Sequence, residues 1–344
     1  MKILDVGFGR KTLYEIYSST IMSSRWQYGM AELSDKYEIE HISWKKFSIR
    51  GHIINNFKML KHCDVIFQSY IYVQPFYLLI FLRQLHLFRK RKIIGISHTA
   101  LRSRNNILLN YIFRIIYNSF DKILFHSQLN MQESIERKLV KPEKCEFLLW
   151  GDDLNYIDKH VKKTQGKNFL STGREDRDFQ TLISAFSQKP LAPLTIYTNK
   201  INYDNNYDYL EKIQNKYSNI NIEFVEKSSS TTQYLAEKAG ECFCVVIPLC
   251  SEKLYYCLGL TSVVEAMAMS KPIISTRNPY SPVDIEKEGI GFFVDDEESW
   301  IKAIDYLYLH PQEAKIMGEK GRQIAEEKFN IRNCAKQIDR IINE

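Results

Sequence analysis

Short apolar runs rich in Ile, Val, Phe and Tyr recur along this chain, and stretches with room for a helix separate them. β-rich runs divided by helical patterns of ten or more residues specify a parallel sheet covered on both faces. Strands are expected at 2–6, 37–43, 64–69, 92–97, 122–126 and 145–149, with helices near 16–34, 51–62, 73–90, 105–119 and 128–138. A second block repeats the pattern, with strands at 169–172, 194–198, 220–225, 242–248, 272–276 and 291–294. Its helices are expected near 178–188, 205–216, 231–238, 262–269, 297–309, 312–328 and 331–343. Between the blocks, Trp150-Gly151-Asp152-Asp153 leads into a polar, lysine-rich stretch, 155–167, which reads as a linker. The fold class is therefore α/β, as two tandem Rossmann-like, doubly wound domains. Two-domain dehydrogenases share this layout.

Bulk properties narrow the partners. At 344 residues and 44% apolar content, the chain is globular and long enough for two domains. Residues 1–150 contain 23 Lys and Arg against 12 Asp and Glu, a balance of +11, whereas the remainder has 24 against 29, or −5. A basic half facing an acidic one points to an anionic partner, nucleic acid or an anionic membrane surface. No recognised nucleic-acid module or basic-aromatic platform is visible, so nucleic acid is not expected. Seven scattered cysteines show no CxxC or zinc spacing, which suits a reducing, cytoplasmic compartment. No signal peptide is expected, since residues 1–9 read as a first strand ending in a Gly turn.

Two segments of the second block have chemical character. Gly259-Leu260-Thr261-Ser262-Val263-Val264-Glu265-Ala266-Met267-Ala268-Met269-Ser270-Lys271-Pro272 lies between two apolar strands. A short helix there would present free N–H groups and a positive dipole end, which is an anion site. Glu265, one turn in, could reach hydroxyls attached to that anion. Ser262-x-x-Glu265 is also a capping box, which needs no ligand. The other segment is Phe169-Leu170-Ser171-Thr172-Gly173-Arg174-Glu175-Asp176-Arg177-Asp178, a strand, a Gly turn and two arginines. Fixed cations stabilise a departing diphosphate, and arginine matches phosphate bidentately. The alternative is a solvated pair bridged to Glu175 and Asp176.

The 259–272 stretch resembles the donor-site motif of GT-B glycosyltransferases, particularly the large retaining family four. That family places two glutamates, seven residues apart, around a Gly-rich helix start. Its second glutamate matches Glu265 and implies a ribose contact. Its first, which holds the donor sugar, falls at Cys257, where this chain departs from the pattern. The resemblance extends to Gly173-Arg174, with Arg177 standing where the family has a lysine on the donor diphosphate. It thus implies donor binding by Gly173, Arg174, Arg177, Cys257, Gly259, Leu260, Thr261, Ser262 and Glu265. The family often places a histidine after a first-domain strand facing the sugar, which implies a catalytic-site role for His98 beside Glu265. A structural, hydrogen-bonded histidine is the alternative, and His126 occupies a similar strand end. The loop Gly7-Phe8-Gly9-Arg10 lacks the third glycine of a dinucleotide fingerprint. In GT-B enzymes it lines the acceptor side, which implicates Gly7, Gly9 and Arg10; a plain turn would also explain it.

These readings combine into a GT-B glycosyltransferase with an interdomain cleft. The expected domains are 1–154 for the acceptor, 155–328 for the nucleotide sugar, and a final helix, 329–344, packing back towards the first domain. The expected reaction, a hexosyl transfer, moves a sugar from a UDP-, GDP- or TDP-linked donor to a hydroxyl of a glycan, glycolipid or protein-linked acceptor in bacterial cell-surface polysaccharide or glycoconjugate synthesis. The resemblance implies retention of configuration, no metal and no cofactor. The only Asp-x-Asp, Asp176-Arg177-Asp178, runs into a helix start where capping is the simpler role. Residues 76–92, apolar with a basic end, are too interrupted to span a bilayer and could lie at its inner face or pack as a core helix. A nucleotide-sugar epimerase and a non-catalytic GT-B subunit stabilising a partner share the architecture. The oligomeric state is left open.

Overall fold

The computed structural model describes residues 1–7, 14, 17–18, 22–43, 63–71, 83, 85, 91–202, 205–226 and 228–344. The chain forms two compact units, Met1–Gly151 together with Ile331–Glu344, and Asp152–Asn330. The expected break at 154/155 thus falls three residues late relative to this division. Each unit is built on a six-stranded, all-parallel sheet.

In the first unit the strands are β1 (Lys2–Gly7), β2 (Glu38–Ser43), β3 (Val65–Gln68), β4 (Lys92–Ser97), β5 (Lys122–Phe125) and β6 (Cys145–Phe147). Their order is β2-β1-β3-β4-β5-β6. Successive side chains on a strand point to opposite faces, and the sequence fills both. Leu4, Ile66, Ile93, Ile123 and Phe125 meet Ile116, Tyr117 and Phe120 on one face. Ile3, Val65, Phe67, Ile94 and Leu124 form the other with Met30, Leu33 and the C-terminal helix, Ile331–Asn343. That helix buries Ile331, Cys334, Ala335, Ile338, Ile341 and Ile342. Tyr37 OH donates to Asp339 Oδ1 at 2.6 Å and Gln337 Nε2 to the Phe147 carbonyl at 2.6 Å, which fixes its seat.

The second unit has β7 (Phe169–Thr172), β8 (Leu194–Thr198), a small antiparallel ladder of β9 (Ile201–Asn202) and β10 (Asn205–Asn206), then β11 (Ile220–Phe224), β12 (Cys244–Ile247), β13 (Ile273–Thr276) and β14 (Gly291–Val294). The main sheet runs β11-β8-β7-β12-β13-β14. Numbering the helices through the chain gives α1 (Met30–Leu33), α2 (Ile107–Asn118) and α3 (Gln128–Glu136) in the first unit. The second has α4 (Leu154–His160), α5 (Phe179–Ser187), α6 (Tyr209–Ile213), α7 (Ser229–Glu241), α8 (Leu260–Ala268), α9 (Glu297–Leu309) and α10 (Pro311–Glu327).

Three expectations need correction or fall outside view. Over 22–34 the expected long helix is a 3-10 turn, Ser24–Gln27, followed by α1, because Tyr28 and Gly29 take left-handed φ values of 52° and 84°. A Cβ on Gly29 would stand 2.8 Å from Ala335 Cα, so the close approach of the C-terminal helix explains the break. The supposed linker contains α4, capped by Asp153, whose side chain accepts from Tyr156 N–H at 3.0 Å, and anchored by buried Ile157. The helices expected at 51–62 and 73–90 lie outside the described residues, apart from Arg83 and Leu85; Arg83 forks onto Asp121 at 2.8 and 2.9 Å.

Ile338 is fully buried against the first sheet. Truncating it to alanine should cost about 2–5 kcal/mol of stability, the range for emptied core sites. Urea unfolding of Ile338→Ala reads this directly, and a change below about 1 kcal/mol would mean the helix is not part of the core.

Candidate functional site

Strands β7, β8 and β11 step one way across the second sheet and β12, β13 and β14 the other. The winding reverses between β7 and β12. Ligands of open parallel sheets bind beyond the strand carboxyl ends at such a reversal. The loops that leave there are the β7–α5 and β12–α8 loops, which hold both segments singled out above.

Backbone hydrogen bonds tie the two loops together. Cys250 N–H donates to the Asp176 carbonyl at 2.9 Å, and Asp178 N–H to the Pro248 carbonyl at 3.0 Å. Arg177 and Leu249 form an antiparallel bridge. Asp178 caps α5, accepting from Thr181 N–H at 3.1 Å and Thr181 Oγ1 at 2.7 Å. Asp176 sits at a positive φ of 48° and pairs with Lys253 at 2.8 Å. Neither half of Asp-x-Asp is therefore spare.

Arg177 is buried to 6% exposure, and its side chain folds back over Gly173. A Cβ on Gly173, at φ +150°, would stand 2.5 Å from Arg177 Nε, so a side chain there would displace the guanidinium and take a backbone conformation that favours glycine. Nη1 donates to the Glu175 carbonyl at 2.7 Å, the Arg177 amide to Tyr207 OH at 2.9 Å, and Nε meets no partner among the described residues. Burial pulls the guanidinium pKa below its ordinary value, yet arginine stays charged at such sites. Arg174, half-exposed beside it, makes no ion pair among the described residues. Glu175 accepts from Tyr256 OH at 3.3 Å. The pair of arginines is thus not bridged to Glu175 and Asp176 as the solvated alternative supposes.

The second loop ends in α8, whose N-cap is Gly259 at φ 83° with no side-chain cap. The helix begins two residues earlier than expected, which places Ser262 in its first turn and Glu265 in its second. The capping-box reading is therefore overturned: Ser262 is not the cap. The Cys257 carbonyl accepts from Leu260 N–H at 3.1 Å, and Asn278 Nδ2 donates to the carbonyls of Tyr256 and Leu258 at 2.9 and 3.0 Å. Thr261 and Glu265, four residues apart and so on one face, are the only residues of α8 that are not buried. Leu260 and Ser262 point inward. Cys257 is buried too, and burial pushes its thiol up to about 12. A neutral thiol among apolar neighbours cannot do what a carboxylate does there. Tyr256, Lys253 and Asn278 escaped the sequence reading. Asn278 follows β13, a neighbour of β12, and the strand-end rule alone would have found it.

In the first unit the winding reverses between β1 and β3. Gly7 ends β1 and is buried; Gly9 and Arg10 lie outside the described residues. His98 follows β4, and its Nε2 donates to the Ser69 carbonyl at 3.0 Å. Its ring stacks on Tyr70 with centroids 5.3 Å apart, meets Tyr28 edge-on at 5.8 Å and lies 5.2 Å from His126. His126 donates from Nδ1 to the Leu148 carbonyl at 3.0 Å, and Nε2 has no partner. Burial lowers the pKa of both histidines, that of His126 to about 3. Both are neutral at neutral pH.

A histidine whose folded pKa is depressed binds its proton more readily when unfolded, so its stabilising contribution fades as pH falls. For His126 the window runs from 6.5 down to about 3, with a slope of about 1.4 kcal/mol per pH unit. Stability measured by denaturant between pH 7 and 5 should fall more steeply in the wild type than in His126→Gln, by close to one proton. Equal slopes would show that the ring is already charged or exposed.

The residues 152–324 match the glycosyl transferases group 1 family. Among solved structures, sucrose-phosphate synthase from Thermosynechococcus elongatus matches with a TM-score of 0.73 at 16% identity, covering 100% of this chain and 98% of that one. Anabaena HepE in complex with UDP matches at 0.68 and 13% identity over 100% of both chains. An E. coli trehalose-6-phosphate structure bound with UDP-2-fluoro glucose matches at 0.67 and 10% identity, over 100% and 99%. Identities this low speak for the fold alone. No curated protein matches the chain. With half its length inside the family pattern and both sheets in the GT-B arrangement, the chain belongs to the glycosyl transferases group 1 family and is a glycosyltransferase.

Proposed function

We propose that the protein transfers a sugar from a nucleoside-diphosphate donor to an acceptor hydroxyl, with the donor bound at the β7/β12 reversal. The observation behind this is Arg177: a buried guanidinium with a free Nε at the strand ends, beside the half-exposed Arg174 and the uncapped start of α8. A buried cation, a half-exposed one beside it and a helix N-terminus suit a diphosphate, and they act most strongly as it leaves with its charge developing. Glu265, beside Thr261 on the open strip of α8, suits the ribose hydroxyls. Two solved relatives of this fold are described with UDP or a UDP-sugar bound, which agrees with this reading. Retention of configuration and independence of metal follow family four. The acceptor is a hydroxyl of a cell-surface glycan or glycoconjugate. Cys257 supplies no carboxylate, so the sugar's hydroxyls are held by other groups than in the common family pattern.

Thermal shift against UDP, GDP, CDP, TDP and ADP, with EDTA present, tests the site, because a ligand of the folded state raises the melting temperature. One nucleotide should shift it, and its sugar should shift it further; no shift with any of them defeats the proposal. Arg174→Ala should weaken that nucleoside diphosphate roughly 10- to 100-fold, the worth of a charged hydrogen bond, and lower turnover by about 100-fold or more. Unchanged diphosphate affinity would remove Arg174 from the site.

Glu265→Gln should weaken the ribonucleotide about tenfold while leaving the 2′-deoxynucleotide nearly unaffected and the melting temperature of the free protein unchanged. Equal losses for both nucleotides would place Glu265 away from the ribose.

A further inference from the structure

Helix α2 is largely apolar, interrupted by Asn110, Arg114 and Asn118, yet only part of it is covered. Ile116 and Tyr117 are buried in the first unit's core, with Phe113 packed against it. On the other side Ile107 is 91% exposed, Leu108 67% and Tyr111 60%, with Ile112 and Leu109 also open. Residues 107, 108, 111 and 112 form one stripe at helical spacing. Five large apolar side chains on one short helix are a patch that water disfavours, and such patches mark contact surfaces.

Cations frame the stripe. Arg102 and Arg104 lie just before the helix and Arg114 within it, all exposed. The backbone at the first two is held in place. Asn110, on the first turns of α2, accepts from Arg104 N–H at 2.7 Å and donates to the Arg104 carbonyl at 2.6 Å. Tyr117 OH reaches the Arg102 carbonyl at 3.4 Å. Along the chain the flanking charge is one-sided: residues 65–120 contain eight Lys and Arg and no Asp or Glu, with Arg83 paired to Asp121. A second copy of the chain would set these cations against each other across a symmetric contact. An apolar stripe with exposed arginines at its edge matches a surface that offers hydrocarbon below and negative charge above, which is an anionic lipid leaflet.

We infer that α2 is a lipid-docking helix: the Ile107, Leu108, Tyr111 and Ile112 side chains enter the headgroup and acyl boundary, and Arg102, Arg104 and Arg114 contact lipid phosphates. The inference is independent of the donor site. It also differs from the expectation for residues 76–92, since it rests on a helix described in full.

Co-sedimentation of the whole purified chain with vesicles tests it. Binding to phosphatidylcholine mixed with phosphatidylglycerol should be strong and should weaken with salt, while binding to phosphatidylcholine alone should be slight. Ile107→Asp with Leu108→Asp should abolish binding without changing the melting temperature, since both side chains are exposed. Arg102→Ala with Arg104→Ala should weaken it roughly 25-fold, about fivefold for each cation near the leaflet. No binding to the mixed vesicles, or binding that survives both double substitutions, overturns the proposal. So does a concentration-dependent dimer, without vesicle binding, that Ile107→Asp with Leu108→Asp dissolves; that result would assign the stripe to a second copy.

Discussion

The all-parallel sheet of the second unit governs where chemistry can occur. Its strands all end on one edge, and every connection must cross a face to return. On either side of the β7/β12 boundary the crossovers move apart, so the two loops leaving those strands are not covered by a neighbouring crossover. The sheet therefore opens a crevice at that point before any side chain is considered. Sequence adds the contents: Gly173, Arg174 and Arg177 on one loop, and the start of α8 on the other.

A buried guanidinium costs desolvation, and a protein keeps one only where its surroundings hold it. Arg177 has the Glu175 carbonyl on Nη1 and no carboxylate partner, and it occupies space that any side chain on Gly173 would fill. Its position is fixed by the bridge to Leu249 and by Tyr207, which itself packs edge-on against Phe179 at 5.0 Å. On the proposed reading, the cation would be in place before an anion arrives, and little would have to reorganise as charge develops. Left-handed backbone at Asp176 is the local strain that accompanies this arrangement, while Gly173 and Gly259 take their positive φ without it.

The two sheets were legible because a strand buried on both faces must be apolar throughout, as in Cys244–Ile247 or Ile93–Ile96. Helix starts were less so. Asp178 and Ser127 announce themselves as caps by their side chains, but Gly259 caps α8 through a backbone conformation, so Ser262 looked like the cap instead. The break at Tyr28–Gly29 answers to Ala335, about three hundred residues away in sequence, and no local pattern encodes that contact. The helix Leu154–His160 was missed for a related reason. Its only buried residue is Ile157, and Arg322, from α10, pairs with Asp158 at 2.6 Å to complete its anchorage. At the proposed site, Arg174, Arg177 and Glu265 were singled out by type and spacing. Of the side chains that position the loops, Tyr207 and Asn278 act through backbone partners and Tyr256 through the Glu175 carboxylate, contacts for which residue type carries no signal.

Within the 259–272 motif, which edge of the sheet a residue occupies separates structure from chemistry better than its identity does. Lys271 is a cation in the motif, yet it precedes β13, and its Nζ donates to the carbonyls of Thr164 and Cys242 at 2.6 and 2.7 Å. Thr164 and Cys242 precede β7 and β12, so all three stand at the amino edge, opposite the crevice. Burial lowers the Lys271 pKa, and two carbonyls occupy its donors, which leaves it as a clamp between the start of the second unit and its central strands. Thr261 and Glu265 belong to the same fourteen-residue stretch but sit on the helix that leaves the carboxyl edge, on its only open strip. A carboxylate and a lysine few residues apart in sequence are thereby assigned to opposite ends of one sheet, and only the carboxylate can meet a ligand.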